Sequence, residues 1–397
     1  MREFHSTILQ VVPRLNAGGA ERTTVEIAGA IVRAGGRALV ASAGGAFEAD
    51  IVKAGGELID MPVDAKDPLS IVANARRLTT LIRSENVDLI HARSRAPAWS
   101  AAMAAQRAKI PYVTTFHGAH DASNALKRWY NSSLVKGDAI IANSHFTAEK
   151  VSNEYNFSAD HLHVIPRGAD VRYFDPMAIT EARINHISES WALGSASHGL
   201  RLLLPARLTA WKGHELAIDA AAELNSLGPS GKARALTLVF CGGAQPNSDY
   251  EETLRAKIDQ RGVREMVHLV GNCADMPAAY GWADVVLSPS VRPEPFGRTI
   301  VEAGAMGKPV IAAGHGGALE TVIDGQTGIL FKPGDVLGLS RALERFSKMP
   351  AAERNAMGEN AAARVRTLYS TDIMCDATLR VYEGLLKKGN QAGHVRA

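Results

Sequence analysis

The segment Pro293-Glu294-Pro295-Phe296-Gly297-Arg298-Thr299-Ile300-Val301-Glu302 places two carboxylates on either side of a glycine that follows an apolar, strand-like run. A strand, a loop, a glycine and then a helix leave the first helical amides without intrahelical partners. With the helix dipole behind them, those amides attract a phosphate. Glu294 falls in the loop and Glu302 a little over one turn into the helix, so both can face one pocket. A carboxylate beside a phosphate repels it, and makes sense there only by accepting hydrogen bonds from neutral hydroxyls, such as those of a ribose and a hexose. Taken alone, two acids at this spacing more often mark a solvated loop and an exposed helix face.

Three further sets of residues fit the same chemistry. Arg207 and Lys212 follow a second apolar run and could neutralise a diphosphate, although such a pair taken alone is usually surface charge. His117 stands before Gly118 at the end of an apolar run, where it closes a turn or meets a ligand. Gly18 and Gly19 sit at the first strand-to-helix turn, where the lack of side chains lets a ligand approach the backbone.

Short runs rich in Val, Ile and Leu alternate with longer amphipathic stretches from one end of the chain to the other, the pattern of parallel strands crossed by helices. Strands are expected at 7–12, 38–42, 57–61, 87–91, 111–115, 139–143 and 162–166, and again at 201–206, 236–242, 267–271, 284–289, 309–313 and 328–331. This makes an α/β chain with two parallel sheets. The expected division is an N-terminal domain over 1–175, a linker over 176–200 ending in the Gly/Ser-rich run 194–199, and a C-terminal domain over 201–370. A helix at 371–388 has no strand to serve and is expected to complete the first domain, with the tail beyond Lys388 frayed. Open parallel sheets bind ligands beyond the carboxyl ends of their strands, where all four residue sets fall.

Taken in order, these segments resemble the retaining glycosyltransferases of family 4, which have the GT-B architecture of two facing Rossmann-like domains with a donor cleft between them. The resemblance covers nearly the whole chain. It is carried by Gly18-Gly19-Ala20-Glu21, Thr115-Phe116-His117-Gly118, Ala142-Asn143-Ser144 and Val164-Ile165-Pro166-Arg167-Gly168-Ala169-Asp170 in the first half. In the second half it is carried by Pro205-Ala206-Arg207-Leu208 with Lys212-Gly213, by Gly242-Gly243, by the Glu294–Glu302 block, and by Gly316-Gly317 with Glu320.

The resemblance implies a nucleotide-diphosphate sugar as donor substrate, linked to UDP, GDP or ADP, with no cofactor and no metal. By the same resemblance Arg207 and Lys212 neutralise the diphosphate and its leaving form, and Glu302 binds the donor ribose. Glu294 and the amides around Phe296 and Gly297 bind the transferred sugar, with Arg298 and Thr299 in the same loop-to-helix segment. Gly18 and Gly19 line the site, and His117 reaches the sugar. Retention then follows a front-face attack in which the departing phosphate takes the acceptor's proton. The chain departs from the family pattern at Arg298, where an apolar residue is usual, and at Arg167, where Asn is common; either could add a cation near a phosphate. A nucleotide-sugar epimerase on the same architecture and a non-catalytic nucleotide-sugar binder stay open as rival readings.

Composition bounds what remains. The 397 residues carry a net charge of +3, with 46% hydrophobic and 21% charged residues, as in an ordinary globular protein. The charge is uneven: Arg93, Arg95, Arg107, Lys109, Lys127, Arg128 and Lys136 face the single acid Asp121 between 91 and 136. Together with Trp129 and Tyr130, and with Leu134 and Val135, the cations at Lys127 and Arg128 suit an anionic membrane surface. The expected acceptor is a glycan or glycolipid of lipopolysaccharide or cell-surface polysaccharide synthesis. The run His91-Ala92-Arg93-Ser94-Arg95 looks like that of bacterial lipopolysaccharide-type transferases. No recognition module for nucleic acid is apparent. With no signal-peptide core or membrane-length apolar run, the expected location is cytoplasmic, or peripheral on the inner face of the cytoplasmic membrane. Cys241, Cys273 and Cys375 lack metal-ligand spacing and are expected to be reduced.

Overall fold

The computed structural model describes residues 4–16, 18–118, 124–193, 199–226, 236–245 and 248–394, with side chains at 225–226 and 389–394 left aside. The chain divides into two compact units. Unit 1 comprises Met1–Arg167 with Thr371–Ala397, and unit 2 comprises Gly168–Ser370.

Unit 1 holds β1 (Thr7–Val11), β2 (Arg37–Ser42), β3 (Glu57–Asp60), β4 (Leu89–Ala92), β5 (Tyr112–Phe116), β6 (Ala139–Ala142) and β7 (Leu162–Val164). They form one parallel sheet in the order β3-β2-β1-β4-β5-β6-β7. Unit 2 holds β8 (Leu200–Pro205), β9 (Leu236–Cys241), β10 (Val267–Gly271), β11 (Val285–Ser288), β12 (Val310–Ala313) and β13 (Gly328–Phe331), in the order β10-β9-β8-β11-β12-β13. Each expected strand is present. Both orders reverse direction once, between β1 and β4 and between β8 and β11, and such a reversal opens a crevice at the carboxyl ends.

The strands form because both of their faces are buried. In β1, Ile8 packs into the core on one side and Leu9 and Val11 into the core on the other; in β8, Leu202 and Leu204 face one way and Leu203 the other. Each such side chain contributes about 1.5–3 kcal/mol of burial. Helices cover both faces, as parallel sheets require.

The unit boundaries differ from the expected ones. The chain passes from unit 1 to unit 2 after Arg167, and most of the segment expected as a linker belongs to unit 2. The helix Glu181–Ser190 runs through it, Ile184 and Trp191 pack into the unit 2 core, and Arg183 forms a double hydrogen bond to Asp275 at 3.0 and 2.7 Å. Residues 194–198 lie outside the described residues. The C-terminal helix spans Thr371–His394, continuing past the expected end at Lys388. It packs Met374, Cys375 and Tyr382 into the unit 1 core against the helix Gly19–Arg33.

Candidate functional site

In unit 2 the candidate residues converge at the β8/β11 reversal. The helix Arg298–Ala305 begins at Gly297, whose φ of 86° is left-handed and which supplies no side-chain cap, so the first amides of this helix stay available. Phe296, just before it, is buried, with its ring edge-on to Tyr369 at 5.7 Å. Thr299 is half-buried in the first turn.

The loop between β11 and this helix is held from two sides. Gly317 donates its amide to the Glu294 carbonyl at 2.8 Å, and a Cβ at Gly317 would stand 2.4 Å from the Phe296 backbone, so only glycine fits under the loop. On the other side Val291 donates to the Trp211 carbonyl at 2.8 Å, and Gly213 lies so close to Pro289 that a Cβ would meet its carbonyl oxygen at 2.0 Å. These contacts carry Lys212 to Glu294. Their ion pair is 2.8 Å long, with side chains only 15% and 14% exposed. Ser290 donates a 2.5 Å hydrogen bond to the same Glu294 oxygen, and His315 Nε2 donates to the Ser290 carbonyl at 2.8 Å. Arg207 is exposed at the end of β8 and makes no ion pair among the described residues.

Glu302 is held separately. Its Oε2 accepts from the fully buried Tyr280 hydroxyl at 3.0 Å, and its Oε1 from Arg298 Nε at 3.3 Å. Burial, and then the nearby Glu302 charge, pushes the Tyr280 hydroxyl well above its usual range, so it stays a donor. Arg298 thus faces a carboxylate one turn along its own helix.

Behind Lys212 sits His214, wholly buried, with its ring edge-on to Phe240 at 5.0 Å. Burial pushes its pKa down to about 4, opposed by the backbone of Thr209 and Ala206, which its nitrogens approach without good hydrogen-bond geometry. A neutral ring there keeps the Arg207–Lys212 turn packed without adding a competing charge.

In unit 1, His117 follows β5 and Arg167 follows β7. Arg167 Nη2 lies 2.7 Å from His117 Nδ1, and because a guanidinium only donates, Nδ1 must accept. The His117 ring is therefore neutral there, with its proton on Nε2. Asn143 donates to the His117 carbonyl at 3.0 Å and accepts from Thr147 at 2.8 Å, which fixes the turn. Gly18 caps the helix Gly19–Arg33 in an extended conformation, and Glu21 Oε2 lies 2.3 Å from where a Gly18 Cβ would be. That carboxylate suits the positive end of the helix.

Deeper in the unit 1 sheet, Arg93 is 2% exposed and donates twice to Gln10 Oε1, at 2.8 and 2.5 Å, while Gln10 donates to the Thr24 carbonyl at 3.1 Å. His91 bridges the Tyr382 and Thr115 hydroxyls at 2.6 and 2.7 Å; burial, then Arg93 and His117, holds its pKa well below the ordinary value. The basic excess between 91 and 136 is therefore smaller at the surface than the sequence suggests, since Arg93 is internal. Leu134, expected on the exposed face, is fully buried in the turn Ser132–Val135. Leu126, Trp129, Lys127 and Arg128 of the helix Ala125–Asn131 are exposed, and Trp129 stacks on Trp99 with centroids 4.9 Å apart. A groove of about 1110 Å³ along the β7 edge, lined in part by Lys109, His161, His163 and Arg380, holds none of the candidate residues.

The sequence pattern of the glycosyl transferases group 1 family matches residues 188–364, and that of glycosyltransferase family 4 matches residues 17–173. A glycosyltransferase crystal structure from Rickettsia africae is 32% identical with a TM-score of 0.88, covering 96% of this chain and 99% of that one. This chain belongs to the family 4 glycosyltransferases. Its two parallel sheets are those of the GT-B architecture. Anabaena HepE in complex with UDP-glucose is 25% identical with a TM-score of 0.80, covering 96% of this family 4 member and the whole of HepE. The D-inositol 3-phosphate glycosyltransferase of Jonesia denitrificans is 31% identical over 61% of this chain and 59% of its own length.

Several residues of the candidate site escape a reading of the sequence: Tyr280 and Ser290 beneath the two acids, His315 beneath Ser290, and His214 beneath the basic turn. Ser290 and His214 lie within four residues of Glu294 and Lys212 but carry no motif of their own, while Tyr280 and His315 are 22 and 25 residues from their partners and are joined to them only by the fold. Among the described residues no group of three or more His, Cys, Asp or Glu side chains is placed to hold a metal ion. No helix among them is long and apolar enough to cross a membrane.

Proposed function

We propose that this chain is a retaining hexosyltransferase that takes its sugar from a nucleoside-diphosphate donor, with UDP as the first candidate carrier, and places it on an anionic glycan or glycolipid acceptor. The observation that carries the reading is the Lys212–Glu294 pair beside the open helix start at Gly297. In this reading the donor diphosphate takes over Lys212 and joins Arg207, and the helix amides from Gly297 to Thr299 supply the remaining donors. Glu294, released from Lys212 and still held by Ser290, accepts from hexose hydroxyls together with the amides near Phe296. Glu302, oriented by Tyr280 and Arg298, accepts from the ribose. Gly18 and Gly19 give backbone access, and His117 offers its Nε2–H to a substrate oxygen.

As the glycosyl bond breaks, negative charge grows on the departing phosphate, and Arg207 and Lys212 stabilise it without a metal ion. Departure on the same face as attack lets that phosphate take the acceptor's proton, giving retention. The HepE complex supports UDP as the carrier, and the name of the Jonesia relative supports a phosphate-bearing acceptor.

Thermal unfolding with UDP, GDP and ADP, each with and without glucose attached, tests the donor site. A ligand at about 100 times its Kd adds roughly 2.7 kcal/mol. We expect UDP-linked ligands to stabilise the protein, and no stabilisation by any of them would reject the reading. Transfer products distinguish it from an epimerase, which would return an isomerised donor without any acceptor.

The exposed Leu126, Lys127, Arg128 and Trp129 support a peripheral role at an anionic bilayer on the cytoplasmic side, in cell-surface polysaccharide or lipopolysaccharide synthesis. Co-sedimentation with phosphatidylglycerol vesicles is expected to exceed that with neutral vesicles and to fall in Lys127→Ala/Arg128→Ala. Equal binding to both vesicle types overturns the membrane role.

A further inference from the structure

The helix Ala351–Leu368 ends at Tyr369, a residue outside every motif of the sequence. Its backbone is held at both groups: the amide donates to the Val365 carbonyl and the carbonyl accepts from the Ala169 amide, each at 2.8 Å. Ala169 and Ser370 form a parallel bridge, so the segments by which the chain enters and leaves unit 2 are tied together at this residue. From that fixed point the buried Tyr369 side chain reaches the donor loop by two routes. Its ring lies edge-on to Phe296 at 5.7 Å, and its hydroxyl donates to the Glu320 carbonyl at 2.8 Å. Arg364 Nη2 donates to the same carbonyl at 2.7 Å and to the Tyr369 hydroxyl at 3.3 Å, with its guanidinium carbon 5.5 Å from the ring centroid. Burial raises the Tyr369 hydroxyl above its usual range, so it stays a donor.

The Glu320 carbonyl is coupled to the loop through one short turn, Ala318–Thr321. Gly317, which opens that turn, is bound at both of its backbone groups. Its carbonyl accepts from the Glu320 and Thr321 amides at 3.1 Å and from the Thr321 hydroxyl at 2.9 Å, while its amide donates to the Glu294 carbonyl at 2.8 Å. Gly316 leaves no slack either, since a Cβ there would stand 2.5 Å from the Glu294 carbonyl oxygen. A shift at Glu320 is therefore carried to Glu294.

We propose that Tyr369, backed by Arg364, is a positioning residue that sets the Glu294–Gly297 loop against the transferred hexose. Its ring holds Phe296 on one side, and its hydroxyl holds the Glu294 backbone through Glu320 and Gly317. Hydrogen bonds weaken steeply with poor distance and angle, so a small displacement of this loop costs contacts to the sugar. The groups assigned to phosphate and ribose are anchored elsewhere: the Lys212 turn by Val291 and Pro289, and Glu302 by Tyr280. Loss of the Tyr369 hydroxyl should thus be felt at the sugar and not at the nucleotide. This effect on the sugar rests on the proposed donor site; the hold on the loop does not.

Tyr369→Phe keeps the ring against Phe296 and removes only the hydroxyl. Hydrogen exchange of the ligand-free protein reads the hold directly. Exchange at the Gly317 amide is expected to quicken about fivefold, with the helix Val336–Lys348 unchanged. An unchanged rate at Gly317, or equal acceleration in both places, overturns the positioning role. Calorimetry then compares UDP with UDP-glucose. In Tyr369→Phe, UDP affinity is expected to stay within about twofold of the wild type while the ratio of UDP-glucose to UDP affinity falls about tenfold, and Arg364→Gln is expected to lower that ratio in the same direction. Equal losses for both ligands would mark a merely structural residue and overturn the effect on the sugar. An Arg364→Gln variant that matches the wild type removes Arg364 from the role. Failure of the wild type to bind either ligand would reject the donor-site reading, while the exchange result still decides whether Tyr369 holds the loop.

Discussion

Lys212 and Glu294 are mostly shielded from water, so removing either leaves the other's charge uncompensated. The two removals have opposite consequences for a phosphate. Lys212→Ala leaves a carboxylate beside the helix start, and UDP affinity is expected to fall about 100-fold, or roughly 2.7 kcal/mol. In the proposed donor site, Glu294→Gln would free Lys212 for the diphosphate while removing an acceptor for the hexose. It is expected to hold UDP as tightly as the wild type and to lose about 100-fold or more in transfer rate. Calorimetry with UDP and single-turnover transfer assays separate the two, and equal loss of UDP affinity in both variants would contradict the assignment. These acids and cations were legible because they stand in ordered motifs. The supports of the candidate residues were not: Tyr280 is 22 residues from Glu302, and Arg167 is 50 from His117. Arg167 was legible as a departure from the family pattern, but only the fold shows that it orients a histidine.

The strands were legible because parallel strands buried on both faces need unbroken apolar runs, which little else in a globular chain provides. The division between units was not, because Glu181–Ser190 is a short helix with one buried residue, Ile187, and a largely polar sequence. Part of its attachment is Arg183 meeting Asp275, 92 residues away, which no local pattern announces. Glycines posed a similar problem, since a turn glycine and a packing glycine look alike in sequence. Gly213 combines a φ of 79° with the Pro289 carbonyl 2.0 Å from a Cβ position, so both the turn and the packing require it. Gly213→Ala must move the Lys212 turn away from β11, at a cost of about 1–3 kcal/mol. Denaturant unfolding should show that loss, and UDP affinity should fall with it because Lys212 is displaced from Glu294. Gly262 has a comparable φ of 66° but nothing near its Cβ position, so Gly262→Ala controls for backbone strain alone. Equal losses in the two variants would show that the Pro289 contact contributes nothing.

At the scale of the whole chain, each unit encloses a buried neutral histidine, His91 in unit 1 and His214 in unit 2, and both have pKa values held below the ordinary value by burial. Unfolding returns each ring to water, where it titrates near 6.5. Between that value and the folded value, about 4 for His214, the unfolded chain carries a proton that the folded chain does not. Stability therefore rises with pH across this window and is lost as the pH falls from about 6.5 toward 4, by up to about 1.4 kcal/mol per pH unit for each ring. For His214 the full window corresponds to roughly 3 kcal/mol, and above pH 7 its contribution is flat. His91 adds a loss of the same sign in unit 1. Chemical denaturation of the wild type from pH 7.5 to 4.5 should show this decline. In His214→Gln the slope for the transition that carries unit 2 should flatten by nearly one proton, even if the substitution lowers stability at pH 7. An unchanged slope would mean that His214 is protonated in the folded protein, and the basic turn at Arg207 and Lys212 would then rest on a buried cation.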